Sequence, residues 1–437
     1  MERLRIRGGA RGLQGTLAVP GDKSISHRAI ILGALAEGLT EISGCSKSED
    51  CQRTFEAVRS LGVEIEGWEE ESLRIYGKGL RGLREAVDVL DCGNSGTTIR
   101  LLAGVLAGQP FLSVLTGDAS LRRRPMDRII LPLRQMGAEI RGRAQDTLPP
   151  LAVHGGTLRG ITYRSPIASA QVKSAILMAG LFAEGQTTII EPVASRDHTE
   201  RMLAACGQQV ERGGREIRMV PSGTLQGSSI SVPGDFSSAA FLLVAGLILP
   251  DSDLTLDGVG VNPSRTGLLE VLQAMGGSVE VLSLDESLGE PRASLRVRSS
   301  RLKGVSIGGD LIPRLIDEIP VLAVAAACAA GKTVIRDAAE LRVKESDRLR
   351  TIAVELSRMG VRTEELQDGL IIHGGHDLHG ACCESHGDHR LAMAITVAGL
   401  RADGETTILD TGCISTSFPG FVDTLQHRLP NCLERMA

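Results

Sequence analysis

One hydrophobic pattern recurs along the 437-residue chain: an apolar stretch of helix length, rich in small residues, then a turn, then a short Thr/Val/Ile strand. It appears as Ser26–Ala36 then Leu39–Ile42, as Thr98–Ala107 then Phe111–Val114, and as Val172–Ala183 then Thr187–Ile190. It returns as Ala239–Leu249 then Leu254–Leu256, Val321–Ala330 then Thr333–Ile335, and Leu391–Leu400 then Thr406–Leu409. The turns fall at Gly38, Gly108, Gly185, Asp251, Gly331 and Gly404. Glycine there predicts the left-handed conformation that ends a helix without steric cost. After the strand comes a second helix, ending in a hydrophobic-Gly step at Gly62, Gly137, Gly207, Gly276 or Gly360, and then another strand. Six such units in order predict an α/β repeat architecture.

The sixth unit stops early, with one helix near Val422–Leu429. Leu4–Arg7 and Thr16–Val19, at the other end of the chain, are the candidates to complete it. Leu13–Asp22 also resembles Leu225–Asp235, half a chain away; both end in Val-Pro-Gly-Asp. This predicts two similar domains of three units each: residues 21–234, and residues 235–437 completed by 1–20. The crossings near Pro20-Gly21 and Pro233-Gly234 suit a hinge.

Composition narrows the function. Hydrophobic residues make up 42% of the chain and aromatics only 2%, so cores must be built from Leu, Val, Ile and Ala. The net charge of −5 gives no global attraction to nucleic acid or to an anionic membrane, so any anion site must gather its cations locally. Nine cysteines without a Cys-x-x-Cys pair point to a reducing cytosol. Met1–Arg5 lacks a signal-peptide core, and apolar runs such as Ile319–Ala330 are too short to span a bilayer. The expectation is a soluble cytoplasmic protein.

Each first helix opens with polar or charged residues. The openings are Asp22–Arg28, Gly93–Arg100, Ser169–Lys173, Gly234–Ser238, Asp317-Glu318 and Gly387–Arg390. Helix N-termini present free N–H groups and partial positive charge, which suits phosphate and carboxylate. Ordinary N-capping accounts for the hydroxyls and aspartates. It does not account for Lys23, Arg28 and Arg390, cations at the unfavourable end of the dipole, which imply a bound anion. Gly96 lets a ligand approach the backbone. Arg122-Arg123-Arg124 precede Pro125, and Arg124 is the candidate among them. Arg342–Arg348 alternates cations and carboxylates, which fits a surface ion-pair lattice and a binding loop equally well. Gly331-Lys332-Thr333 is no Walker A ending, since residue 326 is alanine. His373, His376 and His379, with Cys382, Cys383 and His386 nearby, are expected in a glycine-rich loop, without the paired framework of a zinc site.

Together, Pro20–Arg28, Gly93–Thr97, Arg342–Arg348 and Asp388–Arg390 resemble the 5-enolpyruvylshikimate-3-phosphate synthase family, in order and over almost the whole chain. Ser169-Ala170-Gln171 is similar to its Ser-Ala-Gln subgroup. The resemblance implies two domains, each an inverted (inside-out) α/β barrel of three βαβαββ-type units, with the active site in the cleft between them. It implies that shikimate 3-phosphate is held by Lys23, Ser24, Arg28, Ser169, Gln171, Asp317 and Lys344, with Ser195 and Arg196 at the phosphate. Phosphoenolpyruvate is implied at Lys23, Gly96, Arg124, Gln171, Arg348 and Arg390. The implied partners are these two small anions, with no metal, no organic cofactor, no nucleic acid and no membrane, and the protein is expected to be a monomer. One departure stands out: many members carry a lysine before the late Thr-Phe-Pro segment, where this chain reads Ser415-Thr416-Ser417-Phe418-Pro419.

The implied reaction is addition then elimination, with Asp317 as base toward the 5-hydroxyl and Glu345 or Lys23 as acid toward the methylene carbon. Two rivals remain. One is UDP-N-acetylglucosamine enolpyruvyl transferase, which resembles Lys-Asn at the first motif and has a cysteine on the arginine loop. This chain has Lys23-Ser24, and Leu121–Pro125 has no cysteine. The other is a non-catalytic anion-binding protein, for which Asp317 and Glu345 would serve no purpose.

The resemblance also implies that a residue larger than Gly96 excludes glyphosate. With glycine present, glyphosate should inhibit competitively with phosphoenolpyruvate in a steady-state phosphate-release assay; strong resistance would count against this.

Overall fold

The computed structural model describes residues 2–286 and 289–436. The chain separates into two compact units, one built on Gly21–Val232 and the other on Met1–Pro20, Pro233–Glu286 and Pro291–Ala437. Each holds three four-stranded sheets, one per repeat. The second repeat shows the plan. Strand Leu90–Asp91 leads into helix Gly96–Leu106, then strand Leu112–Thr116 lies parallel to the first. Helix Asp127–Met136 follows, then the antiparallel strands Glu139–Gly142 and Leu148–His154.

The ends of the chain are threaded differently from expectation. Arg3–Arg7 does enter the sixth sheet, antiparallel to both Glu405–Leu409 and Leu433–Met436. Gln14–Ala18 does not. It lies parallel to Asp253–Gly260 as the leading strand of the fourth repeat. The strand overlooked in the sequence is Leu433–Met436, whose Leu-Glu-Arg-Met buries only Leu433 fully and so has almost no hydrophobic signature. Ser229–Ser231 is the counterpart of Gln14–Ala18 and lies parallel to Glu37–Ser43 in the first repeat. The likeness of Leu13–Asp22 to Leu225–Asp235 therefore has a mechanical origin. Each segment finishes a sheet in one unit, then caps the first helix of the other.

That capping is shared by five of the six leading helices. Asp22, Ser95, Ser169, Asp235 and Asp388 each accept a hydrogen bond from a backbone N–H of their own first turn. The sixth, Ile319–Cys328, instead continues from the tight turn Ile316–Glu318.

The glycines behave in two ways. Gly62, Gly137, Gly207, Gly276 and Gly360 have positive φ at the ends of the second helices, as the pattern predicts. Gly38, Asp251, Gly331 and Gly404 also have positive φ, but they stand two residues beyond an extended cap residue: Ala36, Leu249, Ala329 and Ala402. They turn the chain into the next strand and do not end the helix. Gly108 is glycine for space, because a Cβ there would meet the Phe182 ring at 2.2 Å.

The leading helices are buried on every side. Phe236–Ile248 buries all its residues, and Lys23–Leu35 buries Ile25 through Leu35. Within one unit Gly96–Leu106 packs on Ala170–Gly180 and on Lys23–Leu35. Within the other Ile319–Cys328, His389–Arg401 and Phe236–Ile248 pack together. The sheets lie outside them with alternating burial, as in the eBiBe pattern of Arg3–Arg7, so each unit is inside-out, with helices at its centre. Polar groups on these helices can reach water or ligand only at their ends. Among the described residues no helix is long and apolar enough to cross a membrane.

Ile6, fully buried on the strand that completes the sixth sheet, tests this threading. Ile6→Ala should cost about 2–5 kcal/mol, read as a lowered urea midpoint. A change within error would mean the strand is not part of that core.

Candidate functional site

The helix ends of the Gly21–Val232 unit gather cations with few carboxylates among them. Arg28, one turn into its helix, is 3% exposed. It donates from Nε to Thr199 Oγ1 at 2.6 Å, from one terminal nitrogen to the Ser24 carbonyl at 2.8 Å, and from the other to Ser174 Oγ at 2.7 Å. All three acceptors are neutral, and among the described residues no carboxylate lies within ion-pair distance. Burial therefore pulls the guanidinium down to about 10, although the more distant Asp22 and Glu200 raise it; nearby Arg196 lowers it further. It remains charged at neutral pH. Lys23, by contrast, pairs with Asp50 at 2.7 Å.

A second cluster surrounds Gly96. A Cβ on Gly96 would lie 2.8 Å from an Arg100 terminal nitrogen and 3.3 Å from one of Arg124. Arg124 is held by the Asn94 carbonyl at 3.1 Å, Asn94 Oδ1 at 2.5 Å and Ser120 Oγ at 3.2 Å. Arg100 donates to Gln171 Oε1, and Gln171 Nε2 donates to Thr97 Oγ1 at 3.0 Å. Two largely buried guanidiniums thus stand over a glycine at a helix N-terminus, an arrangement suited to an oxyanion. Ser169 spends its hydroxyl on capping its own helix, at 3.4 Å from the Val172 N–H. Ser195 is buried and donates to Glu191 Oε1. Under these helices a chain of short contacts runs from His27 Nδ1 to Thr54 Oγ1, 2.6 Å, and on to Thr98 Oγ1, 2.7 Å. Burial, with Lys23 and Arg28 adding to it, holds the imidazole well below its ordinary range, so it is neutral.

The other unit solves the same problem with opposite bookkeeping. Arg348 is 2% exposed and is saturated by carboxylates. It donates to Asp388 Oδ2 at 2.8 Å, Asp317 Oδ1 at 3.3 Å and Glu345 Oε2 at 2.5 Å. Burial alone would lower its pKa, but Asp388, Glu345 and Asp317 outweigh that and raise it. Lys344 stands 3.6 Å from Asp317 Oδ1, and Arg390 donates to the Asp317 carbonyl at 3.1 Å. The Arg342–Arg348 segment forms ion pairs in two directions. Arg342 pairs with Asp347 and Glu365 at the surface, while Lys344, Glu345 and Arg348 converge on Asp317.

Lys23, Ser24 and Arg28 thus share one helix end, and Gly96, Arg124 and Gln171 meet at another. Asp317, Lys344, Glu345, Arg348 and Arg390 form one network in the second unit. Arg100 was overlooked, although it sits one helical turn beyond Gly96 and so shares its face. Asp388 was read only as part of a motif, yet it is the carboxylate that fixes Arg348. Ser415 Oγ donates to the Gly412 carbonyl at 2.7 Å, a bond internal to its loop. His373 lies on strand Gly369–Gly374, not in a loop, and faces Glu364 at 2.7 Å. Among the described residues no group of three or more His, Cys, Asp or Glu is placed to hold a metal ion.

A family model described as EPSP synthase (3-phosphoshikimate 1-carboxyvinyltransferase) matches residues 7–425. A 3-phosphoshikimate 1-carboxyvinyltransferase of Desulforudis audaxviator is 60% identical over 416 residues, covering 95% of this chain and 97% of that protein. One from Desulforamulus reducens is 56% identical over 414 residues, covering 95% and 96%. The solved EPSP synthase of Acinetobacter baumannii superposes with a TM-score of 0.89 at 46% identity over 100% of both chains. An enolpyruvyl transferase, NikO, from Streptomyces tendae shares the fold alone, with a TM-score of 0.79 at 18% identity over 100% of this chain and 99% of that one.

Removing Arg348 should expose how much the buried carboxylates depend on it. Arg348→Met should lose about 3–5 kcal/mol of stability at neutral pH, because Asp388 and its neighbours would then be buried without a counter-charge. Those carboxyls would have raised pKa values in the folded variant, so the deficit should shrink as pH falls and they protonate. Urea titrations at pH 5 and pH 8 measure it; equal deficits at both would contradict this account.

Proposed function

We infer that this chain, which belongs to the EPSP synthase (3-phosphoshikimate 1-carboxyvinyltransferase) family, transfers the enolpyruvyl group of phosphoenolpyruvate to the 5-hydroxyl of shikimate 3-phosphate and releases phosphate. The observation that carries this reading is Arg28, a buried guanidinium whose hydrogen-bond acceptors are all neutral. A buried cation with no internal counter-ion is costly, and an anionic substrate offsets that cost.

Residues of the Gly21–Val232 unit supply most of the positive charge. Lys23, Ser24, Arg28, Ser169 and Gln171 hold shikimate 3-phosphate, with Ser195 and Arg196 at its phosphate. Lys23, Gly96, Arg124 and Gln171 hold phosphoenolpyruvate; Arg100, bonded to Gln171 and close to Gly96, belongs with them. From the other unit come Asp317 and Lys344 toward shikimate 3-phosphate, and Arg348 and Arg390 toward phosphoenolpyruvate.

Chemically, the 5-hydroxyl oxygen adds to C2 of phosphoenolpyruvate as Asp317 takes its proton, and Glu345 or Lys23 delivers a proton to the C3 methylene. The tetrahedral intermediate then loses a proton from C3, the double bond re-forms, and the C2–O bond to phosphate breaks. Lys23 and Arg124 stabilise the departing charge. Asp317 suits the base role because its carboxylate is held between Lys344, at 3.6 Å, and Arg348, at 3.3 Å. The protein acts as a monomer in the cytoplasm, and its nine free cysteines support a reducing compartment.

A phosphate-release assay with shikimate 3-phosphate and phosphoenolpyruvate should show turnover, and UDP-N-acetylglucosamine in place of the acceptor should show none. Asp317→Ala should lower kcat by about 10²–10⁴-fold. Wild-type turnover by that variant would remove Asp317 from the role of base.

A further inference from the structure

Lys173 is the most deeply buried cation in its unit, and the reaction does not use it. It lies on helix Ala170–Gly180, with its side chain 1% exposed. Its ammonium pairs with Glu191 Oε2 at 3.0 Å and with Glu200 Oε1 at 3.2 Å, and it also donates to the Ser195 carbonyl at 3.4 Å. Both carboxylates are themselves nearly inaccessible, at 1% and 6%. Two buried negative charges therefore share one buried positive charge, with Arg212 reaching Glu200 at 3.8 Å from a more exposed position.

This cluster adjoins Arg28. Thr199, which accepts from Arg28 Nε, is the residue before Glu200, and Ser174, which accepts from Arg28, is the residue after Lys173. Glu200 acts electrostatically on Arg28 without reaching it in an ion pair. Glu191 holds both the hydroxyl and the backbone N–H of Ser195, the residue before Arg196.

We propose that Lys173 is a positioning residue that sequesters the Glu191 and Glu200 carboxylates, and so keeps Arg28 available to the phosphate of the acceptor substrate. Each buried carboxylate needs a cation. With Lys173 present, that need is met by its ammonium, at 3.0 Å from Glu191 and 3.2 Å from Glu200. Without Lys173, the charge of Glu200 falls more fully on Arg212 and on Arg28, on which it already acts, and that internal attraction competes with the substrate's phosphate. The same lysine explains why so acidic a cluster can stand beside an anion site.

This inference rests on the proposed function, so the experiment separates the two. KM for shikimate 3-phosphate and for phosphoenolpyruvate, and kcat, are measured by phosphate release for the full chain and three variants whose folding is checked by circular dichroism. Arg28→Met should raise the KM for shikimate 3-phosphate; if it does not, the placement of that substrate fails, and the role of Lys173 fails with it. Lys173→Met should raise the same KM by about ten- to a hundredfold, the size of a lost charged hydrogen bond, with the KM for phosphoenolpyruvate little changed. Lys173→Met/Glu200→Gln, which removes one charge of each sign, should return the KM for shikimate 3-phosphate to within about threefold of the parent, a coupling that simple loss of packing would not produce. A normal value in the single variant, or an uncorrected one in the double, overturns the proposal even if Arg28→Met behaves as expected. If Lys173→Met does not fold, the charge-balanced double variant decides alone: a KM within threefold supports the proposal and a larger rise overturns it.

Discussion

The burial of guanidinium groups is the constraint around which both units are organised. The leading helices are enclosed by their own sheets, so their flanks accept only apolar side chains, and charge is confined to their N-terminal ends. A cation there is opposed by the helix dipole and by desolvation. Arg28, on a leading helix, and Arg348, at the start of the second helix Arg348–Arg358 of its repeat, answer that cost differently. Arg348 is compensated from within by Asp388, Asp317 and Glu345. Arg28 has only neutral hydrogen-bond acceptors, which is the ground for proposing an anionic ligand there.

This division of labour fits a reaction between two anions. A unit that holds phosphate gains from uncompensated positive charge. The proposed general base, Asp317, has Lys344 and Arg348 beside it to balance its charge. The buried groups behind the first contacts matter as much. Lys173 pairs with Glu191 and Glu200 next in sequence to the partners of Arg28, and Asp388 holds Arg348. Neither is exposed.

The repeat also explains how one chain makes two such different surfaces. All six units use the same βαβαββ plan, and five leading helices are capped by a side chain in the same way. Differences in chemistry come from the one or two turns beyond the cap: Lys23 to Arg28, Gly96 to Arg100, Asp388 to Arg390. The scaffold supplies buried helices with polar N-terminal ends, and short changes of sequence at those ends set their chemistry.

The amino-acid order alone determined the repeat, the apolar helices and the clustering of cations at their openings, because these are local patterns of a few residues. It also carried the motifs that placed the chain beside its family. Tertiary structure decided everything that depends on which strand finds which neighbour. Gln14–Ala18 joins the fourth sheet and Leu433–Met436 the sixth, and pairing between backbones leaves little trace in side-chain hydrophobicity. It also decided which charges meet. Lys173 lies 18 residues from Glu191 and 27 from Glu200, and Arg348 lies 40 from Asp388. Whether a cation is neutralised or left for a ligand is a property of distances in space, and separation along the chain does not encode them.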